Sequence, residues 1–455
     1  MLSESDAQAI LKKVLGFSKA EEAEATLTGA RKGNLRFARN AVSTSGGADE
    51  QSLAVQSSFG KKTGVATINE FDDASLEKVV RRAEELARIA PENPEYVPFL
   101  GAQKYPQPGA YFESTAGIGP DWRAKASATS IDLCKEHKLA AAGFLEHDAS
   151  FSAVANTRGL TGYQRDTGCD FSVTVRTTDG KGSGYGVADF NDAAKLDTGA
   201  VSRVAIQKAL GSAETRSIEP GKYTVILEPA ASVDLISHMV SQMDARLADE
   251  GRSFLTKAGG GTRVGEKLVD ERVHLYSDPM NSEVPGSQWA PDNRPRQRVD
   301  WIKDGVVANL AYSRYWAQKK GVSEDKAVPG IGSGFRGGRT VGGFEGAAGV
   351  IMDGGTASLD ELIKGVKRGV LVTRMWYIRE VDPQTILYTG LTRDGTFYVE
   401  DGEIKYAIKN FRFNESPVIM LNNIEALGKP VRANGCLVPP MVVRDFTFSS
   451  LSDAV

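Results

Sequence analysis

Cysteine, histidine and long apolar runs are all scarce in this sequence. Its 455 residues include three cysteines, Cys134, Cys169 and Cys436, far apart and without a CxxC pair. That number and spacing exclude a disulfide framework and a cysteine zinc cluster, and reduced thiols are the expectation. The four histidines, His137, His147, His238 and His274, include no two at the spacing of a helical ligand pair. No uninterrupted apolar run approaches the roughly 20 residues of a membrane helix. The N-terminus, Met1-Leu2-Ser3-Glu4-Ser5-Asp6, lacks the basic and apolar regions of a secretory signal. A cytoplasmic protein without membrane contact is expected. An excess of one charge is also missing, with 55 basic and 58 acidic residues and a net charge of -3. No broad basic field therefore draws the chain to nucleic acid.

What is present is an ordinary globular balance of 41% hydrophobic and 25% charged residues. Ala7, Ile10, Leu11 and Val14 recur at helical spacing after Ser3 or Ser5, which predicts a first helix to about Leu15. Alternation at Ala23 to Leu27, Leu35 to Arg39 and Leu53 to Phe59 predicts three strands, the last turning at Gly60 to Gly64. Asp72 or Asp73 caps a helix whose apolar face runs from Leu76 to Ala87. Trp122 to His137 and Ala193 to Leu210 read as helices, with alternating segments from Ala140 to Val187. Pro220-Gly221 marks a boundary, followed by a strand to Pro229 and a helix from Ala230 to Leu247. Beyond Lys267 short strands and glycine turns dominate, with Asp304-Gly305, Asp394-Gly395 and Asp401-Gly402 as hairpin signals and one helix from Ser358 to Gly369. Regular strand–helix alternation is absent, so a doubly wound parallel sheet is not expected. The reading is α+β in two domains. Residues 1–216 form an N-terminal domain of antiparallel hairpins and long helices, and 217–455 a strand-rich, barrel-like C-terminal domain.

Several segments in this order resemble the TldD/PmbA family, known also as peptidase U62 and by the label modulator of DNA gyrase. They are Leu35 to Asn40, Gly60 to Asn69, Pro220 to Pro229, Gly251-Arg252-Ser253-Phe254-Leu255, Asp304 to Val307, and Thr389 to Gly395 running into Val399 to Ile404. The resemblance implies a dimer of two-domain subunits around a cavity. It implies that one branch carries H-E-x-x-x-H on the helix after the boundary strand, completed by a C-terminal cysteine that binds zinc. The other branch, TldE or PmbA, lacks the motif and pairs with a zinc-bearing TldD-like subunit.

By that resemblance Ser237, His238 and Gln242 stand at the histidine, glutamate and histidine places. Serine and glutamine are poor zinc ligands, and no carboxylate remains as base. The chain is therefore expected to hold no metal, the zinc belonging to a TldD-like partner. Cys436 reads as a packed thiol and His238 as an ordinary helix histidine. His147, between Glu146 and Asp148, reads as a solvated strand end. Cys134 and His137, three apart, form a conceivable thiolate–imidazole dyad on a solvated helix end. Arg294, Arg296 and Arg298 read as solvated, not as a nucleic-acid patch.

The most unusual stretch is Pro329 to Arg339. It is neither a Walker A loop nor a dinucleotide fingerprint. Its Gly330, Gly332 and Gly334 permit close backbone approach, and Arg336 and Arg339 can meet carboxylates, so it is the candidate peptide-contacting wall. The expected role is a non-catalytic subunit, a heterodimer partner of a TldD-like peptidase that acts on unfolded or modified peptides. A peptidase with another site and a homodimeric peptide-binding protein remain open as alternatives.

Overall fold

The structure is a computed structural model that describes residues 1–331 and 347–452, together with the backbone of 335–336 and 339–340. The fold is α+β. A helix Glu4–Phe17, capped by the Ser3 hydroxyl, leads into a six-stranded antiparallel sheet in the order β3-β2-β1-β4-β5-β6. Its strands are β1 (Glu22–Ala38), β2 (Ala41–Phe59), β3 (Lys62–Ile68), β4 (Ala140–Asn156), β5 (Thr161–Arg176) and β6 (Ser183–Phe190). The alternation expected at Ala23 and again at Leu35 belongs to one long strand, and β2 begins twelve residues before Leu53.

Period-2 alternation gives this sheet two unlike faces. Ala25, Leu27, Leu53 and Val55 pack under the helices Glu4–Phe17 and Asp73–Ile89, whose Leu11, Val14, Val79 and Val80 complete one core. Leu35, Phe37, Leu145 and Phe171 pack under Pro120–Glu136 and Thr198–Gly211. The opposite face stays polar, with Thr26, Thr28 and Lys32 of β1, Ser52 of β2 and Ser150 and Ser152 of β4 in register.

The first sheet draws only on residues before 191, and the remaining sheets begin at 215. The C-terminal part holds a closed five-stranded barrel. Arg368–Asp382 pairs in parallel with Gly221–Leu227, which pairs with Met441–Ser452, then Asn410–Glu415, then Leu387–Glu400, which returns to Arg368–Asp382. Phe411, Phe413, Phe446 and Phe448 fill its interior, with ring centroids 4.6 Å apart for Phe411 and Phe448.

The Asp304-Gly305 and Asp401-Gly402 signals are tight turns with positive φ at all four residues. Asp394-Gly395 is not a hairpin end. It lies inside Leu387–Glu400, where the register with Arg368–Asp382 shifts between Val372 and Arg374. The expected Ala230 to Leu247 helix is two pieces, Pro229–Ser241 and Ala245–Asp249. The Asp244 carboxylate caps the second piece through the Leu247 N–H. No helix among the described residues is long and apolar enough to cross a membrane.

Candidate functional site

Two places in this architecture gather chemistry-bearing side chains. The first is the outer face of the Pro229–Ser241 helix. Its start is fixed by Glu228, which meets Lys208 Nζ at 2.6 Å and accepts from Thr373, and by the Ser232 hydroxyl donating to Pro439 O at 3.1 Å. Residues 231–233, 235–237, 239 and 240 are buried. Asp234, His238 and Gln242, four apart, are less buried and form one stripe.

The three positions singled out by the motif comparison do not converge. Ser237 is buried, and its hydroxyl donates back to Val233 O at 2.7 Å, one helical turn earlier. The His238 ring stacks on Tyr388, with centroids 5.1 Å apart. Gln242 donates from its amide to Glu380 Oε2 at 3.1 Å, and the buried Tyr388 phenol lies 3.4 Å from the same oxygen. Desolvation and the Glu380 carboxylate both raise the Tyr388 pKa, so the phenol keeps its proton and acts as donor.

Cys436 lies on the Cys436–Val438 strand, which packs against this helix, but its thiol is fully buried and turned to Ala347 O at 3.2 Å. No group of three or more His, Cys, Asp or Glu side chains among the described residues is placed to hold a metal ion. The donor set does not fit zinc, since the first position is a hydroxyl spent on its own helix and the third is an amide.

Sequence reasoning missed Asp234. It keeps partial contact with solvent but sits deep enough that desolvation pushes its carboxyl up to about 8, with the Arg374 charge opposing the shift. Arg374 itself is taken by the buried Asp394 carboxylate and stacks over Tyr185 at 3.8 Å. Asp394 also accepts from the Ser183 hydroxyl at 2.5 Å, which ties β6 to the barrel. The i−4 spacing of Asp234 from His238 was the only signal the sequence offered.

The second place is a cavity of about 710 Å³ under the first sheet. Thr26, Thr28, Lys32, Ser52, Ser150 and Ser152 form its hydroxyl-rich floor. Pro279, Pro285, Trp289 and Pro291, from the loops after 277, form its roof. Ile331 and Gly349 also line it. Of the proposed peptide-contacting wall, Gly330 is described, and its carbonyl accepts from Arg296 Nη1 at 3.0 Å. Gly332 and Gly334 lie outside the described residues. For Arg336 and Arg339 only their mutual strand pairing is described.

Three other expectations need correction. His147 is no strand end. It is buried in the middle of β4, 2.9 Å from Arg123 Nη1, because the Pro120–Glu136 helix covers that part of the sheet. Gly33 makes room for the pair, since a Cβ there would collide with both side chains. Cys134 is fully buried and its thiol is pushed up to about 11, which removes the thiolate a dyad needs. Arg294 is buried and donates to Tyr312 O at 2.5 Å, and Arg296 donates to Trp289 O at 3.2 Å, so these arginines brace the cavity roof.

Three family models match the chain one after another and together cover most of it. They are PmbA/TldA metallopeptidase domain 1 at residues 23–87, the central domain at 121–213 and the C-terminal domain at 220–450. No curated protein sequence matches the chain. Among solved structures, TldE from Thermococcus kodakarensis superposes with a TM-score of 0.84 at 17% identity, covering 97% of this chain and 99% of its own. A Thermotoga maritima protein described as a candidate modulator of DNA gyrase gives 0.84 and 17% over 97% of this chain and 100% of its own. A Bacteroides thetaiotaomicron protein so described gives 0.81 and 19% over 99% and 100%. At these identities the superpositions speak for the fold alone, while the three consecutive models, the last spanning half the sequence, establish that the chain belongs to the PmbA/TldD metallopeptidase family.

Proposed function

We propose that this chain is a non-catalytic subunit of a PmbA/TldD-type peptidase, of the TldE kind. It pairs with a zinc-bearing relative that cleaves unfolded or modified peptides. The observation that carries the reading is the donor set on the Pro229–Ser241 helix. Ser237 is bonded to its own helix and Gln242 to Glu380, so neither supplies the ligand that metal-assisted hydrolysis needs to hold zinc and polarise a water. The subunit's contribution is shape. A polar floor with a proline- and tryptophan-lined roof suits an extended peptide, whose backbone amides need partners while its side chains vary.

The test is a cleavage assay on an unfolded peptide with three samples: this chain, a zinc-bearing relative, and the mixture. The expected result is no cleavage by this chain alone and altered cleavage by the mixture. Chelator-sensitive cleavage by this chain alone overturns the reading. So does elemental analysis finding about one tightly held zinc per purified chain, because resident zinc is held too firmly to be lost in purification.

A further inference from the structure

Most charges that line the cavity are accounted for inside the chain. Lys32 meets Glu50 at 2.9 Å, Asp166 accepts from the Ser150 hydroxyl at 2.7 Å, and Glu24 accepts from the Asn156 and Asn293 amides. Arg165 lies exposed and stacked over Tyr111, where water and salt screen it. Arg296 is different. It is half-buried in the roof, and its hydrogen bonds all end on neutral oxygens. Its Nε donates to Ser287 Oγ at 3.1 Å and to Trp289 O at 3.2 Å, and its Nη1 donates to Gly330 O at 3.0 Å. Desolvation pushes its guanidinium down to about 10, so it is still charged at neutral pH. Asp292, whose carboxylate opposes that shift, is already taken by Arg294 at 2.7 Å.

A guanidinium carries five N–H groups. Here the Nε–H and one Nη1–H hold the roof. The other Nη1–H and both on Nη2 have no acceptor among the described residues. They include the outer pair of N–H groups that grips a carboxylate with two parallel bonds. Trp289, and Ile331 next to Gly330, line the same cavity and keep the surroundings apolar. A charge in such a place is costly without a counter-ion and strongly attractive to one.

We infer that Arg296 anchors a carboxylate of the bound peptide, gripping it with the outer fork of the guanidinium while the inner N–H groups fix the roof. The inference rests on the peptide-cavity reading of the proposed function and names the chemical group that the cavity selects. The hydroxyl-rich floor can bond to any backbone and so reads no sequence. Arg296 adds charge selection to it, and a planar fork also fixes the direction in which the peptide lies. The carboxylate can come from the end of the peptide or from an acidic side chain, since both present the same two oxygens.

Binding to the full chain, followed by fluorescence anisotropy, tests this without a partner. The probes are three N-terminally dansylated peptides of glycine, serine, alanine and leucine. The first is amidated at its C-terminus and has no carboxylate. The second has a free C-terminus. The third is amidated and carries one central glutamate. The wild type is expected to bind the second, the third or both about tenfold more tightly than the first. Preference for the second alone places the peptide's end at Arg296, and preference for the third alone places an acidic side chain there. Arg296→Gln is expected to bring that ratio to about one. Arg296→Lys, which keeps the charge and loses the fork, should leave about threefold. Because the readout is a ratio, a general loosening of the roof cancels from it. Should Arg296→Gln not fold, as far-UV circular dichroism reports, the lysine variant carries the test. Equal binding of the three probes by the wild type, binding of none, or a ratio that survives these substitutions overturns the inference. Failure of the subunit reading looks different: the carboxylate preference stands and depends on Arg296, yet mixing leaves a zinc-bearing relative's cleavage unchanged.

Discussion

The two β-structures of this chain treat their edges in opposite ways. The C-terminal barrel abolishes them, since Arg368–Asp382 and Leu387–Glu400 pair with each other and every strand of the ring has two neighbours. The N-terminal sheet stays open, with no described strand on the outer side of β2 before Leu53. A closed ring around four phenylalanines has no backbone left to offer a partner and serves as a rigid base. An open sheet with a polar face has both backbone and side chains to offer. The motif helix sits on the rigid part, with Ser237 and Gln242 bonded within the chain, while the cavity floor and the open edge belong to the sheet. The polar cavity floor thus lies on the open sheet, and the motif helix on the closed barrel part.

The largest effect should come from uncoupling the two parts. Asp189 of β6 and Arg432 of the barrel half form an ion pair at 2.8 Å with side chains only 4% and 7% exposed. Asp189 also accepts from the Gly435 N–H at 3.1 Å. Replacing Asp189 by alanine leaves the arginine buried without its carboxylate, which costs about 3–5 kcal/mol. Urea unfolding of Asp189→Ala should show that loss, with the sheet and barrel unfolding in separate transitions. A loss under about 1 kcal/mol would mean that the two parts are held mainly by apolar contact.

A middle-sized effect belongs to Asp234 and depends on pH. Its carboxyl titrates near 8 in the folded chain against an ordinary 3.8. Between those values the folded protein holds a proton that the unfolded chain has released, so this group's contribution to stability falls as pH rises from about 4 to about 8. Asp234→Asn cannot ionise. The variant should match the wild type near pH 4 and gain on it towards pH 8, by at most about 1.4 kcal/mol per pH unit and by less where solvent reaches the carboxylate. Glu24 and Glu415 are also raised by burial and act in the same direction, so the difference between the two proteins isolates residue 234. Parallel stability curves across that window would show that Asp234 stays ionised beside Arg374.

The same division decides what the sequence made legible. The helix capped at Asp72 was readable at its start, whereas the expected Ser358 to Gly369 helix stops at Lys364 and the expected Ala193 to Leu210 helix begins only at Thr198. The family followed from short segments spread over the chain. The first half of β2 was invisible, because Ser43-Thr44-Ser45-Gly46-Gly47 has no alternation to read and its strand state comes from pairing with β1. His147 and Arg294 were misread as solvated because burial by a helix or loop far away in sequence leaves no local trace. Ser237, His238 and Gln242 fall on one helix and its C-terminal cap. Their partners Tyr388 and Glu380 come from strands well over a hundred residues away, so the site's satisfaction could not be read at all.

The smallest effect should be at Ser237, and its smallness is the point. The resemblance implies a zinc-binding histidine at this place in the catalytic branch. Here the hydroxyl is fully buried and bonded to Val233 O inside its own helix. Ser237→Ala removes that bond, worth about 1 kcal/mol net, but leaves no buried donor unpaired, since the Val233 carbonyl keeps its place near the helical ladder. Alanine returns about 0.5 kcal/mol as the better helix former. The two terms nearly cancel, so thermal unfolding should shift by no more than a few degrees. Cleavage by a mixture with a zinc-bearing relative should be unchanged. Loss of that cleavage by Ser237→Ala, with stability preserved, would move chemistry back to the barrel helix and undo the division between a silent frame and a binding sheet.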